Sequence, residues 1–457
     1  MSGYSKLIAV ARNSFAFVVI GGALLISSCK PTVKTPEEVL SRIPLIDSFR
    51  VYDNDTLFKS TYEVWFRMPL DHNNPNSPVF PLRVYYSHLD FGKPMVVVID
   101  GYTMYTHRAN EMSRILNSNQ LTIEHRFYDR SRPKDSIPWS YLTVRQAAAD
   151  QHAVINAFKQ FYKGKWVSTG ISKSGQATIF HRRYYPHDVD VSVPYVAPLN
   201  FSSEDPRAYS FLQNVGTDDC RRRIAEYQTQ LFKLKDKIYP MFVDLVNESK
   251  WDFPMGLSRA YDLSVLEYQF AFWQWGIPCD NIPAKASSPE QLFNHWRMVK
   301  PFSFFDAKST DTRLFLYQAM TEIGMYGYEV EPFKRYLPDT ANINFAFAMP
   351  AGMKAIYHPE TMQDINRWVR DSGNYMLYIY GQNDAWSSTA VEPGSKTNAV
   401  KMVNPGGSHS TRIRSFPPAM RDSIYSVLER WLQVDLSNLK STSNSNPAEP
   451  TPQQKKP

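Results

Sequence analysis

Cysteine, strong charge of one sign and membrane-length apolar runs are all scarce in this sequence. Only three of its 457 residues are cysteine. Cys220 and Cys279, the two in the body of the chain, cannot make a zinc site by themselves, and no histidine-rich stretch stands near them. Neither a metal nor any other cofactor is expected. The formal net charge is +7, with lysine and arginine scattered and part of the excess at the two ends. That balance reads as a solvated surface, not as a nucleic-acid-binding face. The apolar run from Phe15 to Ile26 is too short to cross a bilayer comfortably. No internal repeat is apparent.

What is present is enough to fold. The chain is 43% hydrophobic and 14% aromatic, so it can bury a sizeable core. Its length exceeds that of a usual single domain, which implies one large α/β unit with an insertion, or two domains. Much of the aromatic content falls in the middle third, a hint of a cleft or cap built from rings. At the start, Lys6 and Arg12 precede the apolar run, which ends in Leu25-Ile26-Ser27-Ser28-Cys29. Small residues before a cysteine resemble a bacterial lipobox, so residues 1–28 read as a signal peptide and Cys29 as a lipidated terminus attached to a membrane. A plain signal peptide or a short anchor helix are the alternatives. All three place the body of the chain outside the cytoplasm, in the cell envelope or secreted. In an oxidising compartment Cys220 and Cys279 form one disulfide or remain two buried thiols.

Residues 29–45 read as a tether, and 437–457, rich in Ser, Asn, Pro, Gln and Lys, as a disordered tail. Between them strands alternate with helices. Tyr62 to Arg67 and Phe80 to His88 predict a hairpin. Met95 to Asp100, Leu121 to Phe127, Trp166 to Thr169 and Val189 to Val196 are short apolar runs of the kind a buried sheet needs. Val144, Ala147, Ala148, Val154, Ile155, Phe158 and Phe161 recur at helical spacing between two of these runs. Strand, helix, strand implies a parallel crossover. From 204 to 351 long helical stretches follow one another, including Arg223 to Val246, Leu263 to Trp275 and Thr312 to Gly324. The α/β rhythm returns with Met376 to Tyr380, Ala399 to Val403 and a last helix from Pro418 to Leu432. The predicted layout is therefore core (46–203), helical cap (204–351) and core again (352–436).

The chemistry-bearing residues sit at the ends of these strands. Gly170-Ile171-Ser172-Lys173-Ser174-Gly175 follows one strand and precedes a helix, close to the G-x-S-x-G elbow, with Ser174 where a second glycine is usual. Such a turn exposes the serine in strained geometry, and the helix dipole behind it favours developing negative charge. A serine nucleophile needs a base and an orienting acid. Gly381-Gln382-Asn383-Asp384 places an acid after the next strand, and Asn404-Pro405-Gly406-Gly407-Ser408-His409 presents a histidine after the last one. Ser172, Asp384 and His409 thus fall in the chain order of the α/β-hydrolase triad. The expected oxyanion donors are the backbone N–H groups of Lys173 and, beside Gly101, of Tyr102. The Lys173 side chain reads as solvated or ion-paired.

Taken together with Pro186-His187-Asp188-Val189-Asp190, Tyr195-Val196-Ala197-Pro198, Leu70-Asp71-His72-Asn73-Asn74-Pro75, Glu124-His125-Arg126-Phe127-Tyr128, Tyr141-Leu142-Thr143 and Thr321-Glu322-Ile323-Gly324, these motifs resemble the secreted tripeptidyl aminopeptidases of the PS-10 type, relatives of the prolyl carboxypeptidase group. The similarity runs from about residue 60 to 415. It implies an α/β-hydrolase core with a mostly parallel sheet, an inserted cap, and release of short peptides, often ending in proline, from a free N-terminus. Such an enzyme needs a carboxylate for the substrate ammonium. Glu322 is the first candidate and Glu124 the second, although Glu124 paired with Arg126 as scaffold is an equal reading. Phe270, Phe272, Trp273, Trp275, Tyr326 and Tyr328 are rings that a proline can stack on, or ordinary core. Departures from the family are Ser174 and Ala385, the latter where proline is expected. An ester or lipid hydrolase on the same fold, and a non-catalytic peptide-binding lipoprotein, are the competing readings.

Overall fold

The computed structural model describes residues 33–53, 55–299, 302–340 and 343–442, so the expected signal peptide, Cys29 and residues 443–457 lie outside the described residues. In chain order the first half comprises α1 (Pro36–Ser41), β1 (Ile46–Tyr52), β2 (Ser60–Pro69), β3 (Val79–His88), β4 (Met95–Ile99), α2 (Glu111–Leu116), β5 (Asn119–Ile123), α3 (Val144–Lys159), β6 (Trp166–Ile171), α4 (Lys173–Tyr184) and β7 (Val191–Tyr195).

One nine-stranded sheet runs β1-β2-β3-β5-β4-β6-β7 and continues into β8 (Leu377–Gly381) and β9 (Val400–Asn404). The hairpin forms as expected, β2 against β3 from Ser60↔His88 to Pro69↔Val79. From β5 to β9 every pairing is parallel. The parallel strands β5, β7 and β8 are buried at every residue, as a sheet covered on both faces requires. All their carboxyl ends point one way, and that edge is where ligands bind in open α/β sheets.

Several boundaries differ from expectation. The tether is structured from Pro36 onward. Thr35 caps α1 through the Glu38 N–H, and Val39, Leu40 and Ile43 are buried in the same cluster as the hairpin residues Tyr62 and Val64. Apolar side chains with a place to be buried hold the segment in place. The run from Leu121 to Phe127 leaves the sheet after Ile123, because Glu124 turns inward to Arg83. At the other end, Ser437–Thr442 forms a short helix, with Lys440 paired to Glu429.

Between β7 and β8 the described residues contain helices and no strand: α5 (Arg207–Asn214), α6 (Asp218–Lys233), α7 (Lys235–Ser249), α8 (Leu257–Trp275), α9 (Pro289–Val299), α10 (Thr310–Gln318) and α11 (Glu360–Asp371). The stretch expected as one helix from Arg223 to Val246 is two, broken at Leu234. After α10 the chain widens into a π turn, Ala319–Ile323. The sheet closes with α12 (Pro418–Leu432), as read, and α13 (Ser437–Thr442). The helical cap shares one hydrophobic cluster with the core, running from Phe180 and Leu199 through Tyr261 and Trp296 to Tyr378. It is fused to the sheet by packing.

Cys220 and Cys279 are joined in a disulfide that ties the start of α6 to the turn after α8, at a sequence separation of 59. Closing a loop of that size stabilises by at most about 4 kcal/mol through the unfolded chain. The double substitution Cys220→Ser/Cys279→Ser is expected to lower the thermal unfolding midpoint by several degrees, and reductant is expected to do the same to the wild type but not to the variant. Equal midpoints with and without reductant in the wild type would exclude a stabilising bridge.

Candidate active site

Ser172 is the residue between β6 and α4, with φ +62° and ψ −127°. A non-glycine residue there is strained, and it persists only where neighbours over-determine it. Two bonds do so: the Ser172 N–H donates to Tyr195 O at 2.9 Å, and the Gln176 N–H donates to Ser172 O at 2.9 Å. The turn is so tight that a Cβ on Gly170 would lie 2.2 Å from Ser174 O. Glycine is the residue that fits.

The loop after β4 packs against this elbow. A Cβ on Gly101 would lie 2.6 Å from the Lys173 carbonyl carbon. Ser174 joins the two: its hydroxyl accepts from the Gly101 N–H at 2.9 Å and donates to Asp100 Oδ1 at 2.9 Å. Ser174, a departure from the family pattern, therefore fixes the distance between elbow and loop. Tyr102 follows directly. Burial pushes its phenol up to about 12. Its side chain lines the cleft at Ser172.

Asp384 and His409 meet across two loops. His409 Nδ1 donates to Asp384 Oδ2 at 2.8 Å, which leaves Nε2 as the basic nitrogen of the ring. Asp384 is fully buried, and its Oδ1 accepts from the Trp386 N–H at 3.1 Å. Backbone bonds stitch the loops together, Gln382 N–H to Asn404 O at 3.0 Å and Asn383 N–H to Gly407 O at 2.8 Å. The cap supports the histidine from above: its N–H donates to Gln274 O of α8 at 3.0 Å. The structure thus brings the acid and histidine of the expected triad into direct contact, at the same sheet edge as Ser172.

Other expectations change. The Lys173 side chain is neither solvated nor ion-paired. It is buried, and it donates to Gly101 O and, at 3.1 Å, to Tyr128 Oη, with the Tyr128 ring centroid 4.7 Å away. Burial pushes its ammonium well below the usual lysine range. Glu124 pairs with Arg83, not Arg126, and also accepts from the Met104 N–H at 3.0 Å and the Ser131 hydroxyl at 2.6 Å. Arg126 instead pairs with Asp150 at 2.7 Å. Glu322 accepts from the Val144 N–H at 2.8 Å, at the start of α3, and from the Thr361 hydroxyl of α11 at 3.1 Å. Glu124 is thus paired with a cation, whereas Glu322 is held by neutral donors alone.

The cleft at Ser172 is lined by Tyr102, Phe315, Trp386 and Asn200, among others. Behind Trp386 stand Phe270 and Tyr326, stacked on each other with centroids 3.6 Å apart and each about edge-on to the Trp386 ring, at 5.0 and 5.2 Å. Trp275, half-exposed, stands edge-on to His409 at 6.4 Å. Trp273 and Phe272 pack in the cap interior. Trp386 and Phe315 were not anticipated. Trp386 is two residues past the triad acid, a position that could have been flagged from sequence.

A mostly parallel sheet with a serine elbow after β6, an acid after β8 and a histidine after β9 defines the α/β-hydrolase class. The sequence profile described as PS-10 peptidase S37 matches residues 43–452. The chain belongs to that family and is a serine peptidase. It is 31% identical over 383 residues to the prolyl tri/tetrapeptidyl aminopeptidase of Streptomyces mobaraensis, covering 81% of this chain and 79% of that one. A probable serine protease of Arabidopsis thaliana, EDA2, is 28% identical over 156 residues, 28% of this chain and 31% of that one. Among solved structures, the proline iminopeptidase of Mycobacterium smegmatis aligns with a TM-score of 0.35 at 12% identity, covering 81% of this chain and 99% of that one.

Replacing Ser174 by alanine removes the link between elbow and loop while leaving every group that touches substrate. Loss of hydrogen bonding to a carboxylate costs about 1.5–3 kcal/mol. Ser174→Ala is expected to lower kcat about tenfold with little change in KM. An unchanged kcat would show that the loop holds its place without the hydroxyl.

Proposed function

We propose that this chain is an exported, lipid-anchored exopeptidase that releases short peptides, di- or tripeptides with a preference for those ending in proline, from free N-termini. Ser172 attacks the scissile carbonyl, His409 Nε2 takes its proton and later delivers it to the leaving amine, and Asp384 holds the imidazole in orientation. The Lys173 and Tyr102 N–H groups receive the oxyanion. An acyl-enzyme forms on Ser172 and water releases it.

The observation that carries the chemistry is the Asp384–His409 bond at 2.8 Å on the same sheet edge as the strained Ser172. Two further facts support the substrate class: the likeness to an aminopeptidase across 81% of the chain, and a cleft backed by rings of the cap. Rings on one side and buried helices above favour a chain end over a chain that continues in both directions. Export and anchoring are supported by the sequence alone, through the basic start, the apolar run and Cys29.

Two measurements test these statements. A fluorophosphonate probe is expected to label the wild type and not Ser172→Ala. N-acetylation of a proline-ending tripeptide anilide is expected to lower kcat/KM by roughly a hundredfold, on the order of one charge-assisted contact. Equal cleavage of free and blocked substrates would replace the exopeptidase by an endopeptidase or esterase.

Anchoring has its own readout. Cys29→Ala is expected to move the protein from the membrane pellet to the soluble fraction and to remove a lipid-sized mass from the mature N-terminus. A wild-type protein already soluble, with no added mass, would leave a plain signal peptide.

A further inference from the structure

Besides Glu124 and Glu322, a third carboxylate lies within the packed aromatic cluster behind Trp386. Glu267 lies in the middle of α8 and is only 5% exposed. Its hydrogen bonds come from two phenols: Tyr326 donates at 2.9 Å to Oε1 and 2.8 Å to Oε2, and Tyr328 donates at 2.7 Å to Oε2. Among the described residues no cation faces it, and the titratable groups against it are those two tyrosines. The Tyr326 ring is the one that stacks on Phe270 and stands against Trp386, which lines the Ser172 cleft. Phe345 closes the far side, 5.4 Å from Tyr326 and 5.5 Å from Tyr328.

From this arrangement we infer that Glu267 is the anchor for the substrate's N-terminal ammonium. The inference rests on the exopeptidase reading above and names the residue that gives it its specificity. An isolated buried carboxylate is unfavourable, and two phenols offset only part of that. A substrate ammonium supplies the missing charge, and a shift of Tyr326 off Phe270 would free ring faces that suit a cation. Glu267 lies one tyrosine beyond the Trp386 wall of the cleft, since Tyr326 donates to it and stands against Trp386. Because the carboxylate is covered, Tyr326 or Tyr328 must shift to admit the amine, which couples binding to the wall of the cleft. In the empty protein burial pushes Glu267 up to about 7. The acid is therefore neutral below that pH and charged above it, while an α-amine loses its proton near pH 8.

The test compares two substrates, a proline-ending tripeptide anilide and its desamino analogue, identical except that hydrogen replaces the amine. Their ratio of kcat/KM cancels effects on the triad. In the wild type the ratio is expected to favour the free amine and to peak between about pH 7 and 8. In Glu267→Gln it is expected to fall by roughly ten- to a hundredfold and to lose its acid limb, with kcat/KM for the desamino substrate nearly unchanged. A wild type indifferent to the amine would sink the exopeptidase reading itself. A wild type that prefers the amine, with a Gln variant of the same ratio, would overturn only the assignment of Glu267 and make it a neutral acid built into the core. If Glu267→Gln does not fold, Tyr328→Phe decides: losing one donor is expected to move the acid limb of the ratio to higher pH, and an unmoved limb would overturn the inference.

Discussion

The site depends on one backbone constraint, the positive φ of Ser172. The conformation is unfavourable for a residue with a Cβ and is imposed by its surroundings. Tyr195 O on β7 takes the Ser172 N–H, and α4 begins immediately behind. Moving β7 by one residue or lengthening the turn would relieve the strain and withdraw the hydroxyl from the cleft. The central strands are buried on both faces because they must hold this geometry. Around the elbow every added atom is placed: Gly101 is near enough to forbid a side chain, and the Ser174 hydroxyl spans the remaining gap. A serine where a second glycine is usual is thus a working part of the turn.

The cap contributes to the base as well as to the cleft. His409 is fixed by Asp384 through its ring and by Gln274 through its backbone. Gln274 is near the end of α8, the same helix that carries Phe270 and Glu267. One rigid element therefore spans the aromatic cluster behind Trp386, its carboxylate and the support of the histidine. Displacing α8 to admit a substrate also shifts the main-chain contact of His409, so recognition and chemistry are mechanically linked in this fold.

Much of this was legible in the sequence because local pattern and tertiary role agree there. The hairpin, α3, the elbow and α12 each carry their own periodicity or turn chemistry, and Asp384 and His409 each follow an apolar run. Misreadings arose where the deciding contact is distant. β1 is an edge strand exposed at five consecutive residues, so no alternation marks it. The break at Leu234 has no glycine or proline, while Pro240 lies inside α7 without ending it. Glu322 sits among aromatic residues and reads as a ligand for an amine, but its partner is the N–H of Val144, 178 residues away. Glu267 had a usable signal: it is the only charged residue between Leu263 and Trp275, a stretch otherwise apolar or neutral.

That signal generalises to the charge balance of the interior. Most buried ions have partners of opposite sign: Asp150 has Arg126, Glu124 has Arg83, Asp262 has Lys235 and Asp188 has two histidines. Such pairs hold segments in register and leave no net demand on a ligand. Lys173 and Glu267 are among the buried groups with no such partner. Each is buried among aromatic rings, each is satisfied only by neutral donors or acceptors, and they belong to the two sides of one cleft, the elbow and the cap. Burial drives both toward the neutral state, Lys173 down and Glu267 up. A fold selected for stability alone would pair these groups or replace them by apolar ones. Their persistence at the reacting edge of the sheet places part of the uncompensated electrostatics of the molecule where a peptide terminus would complete it.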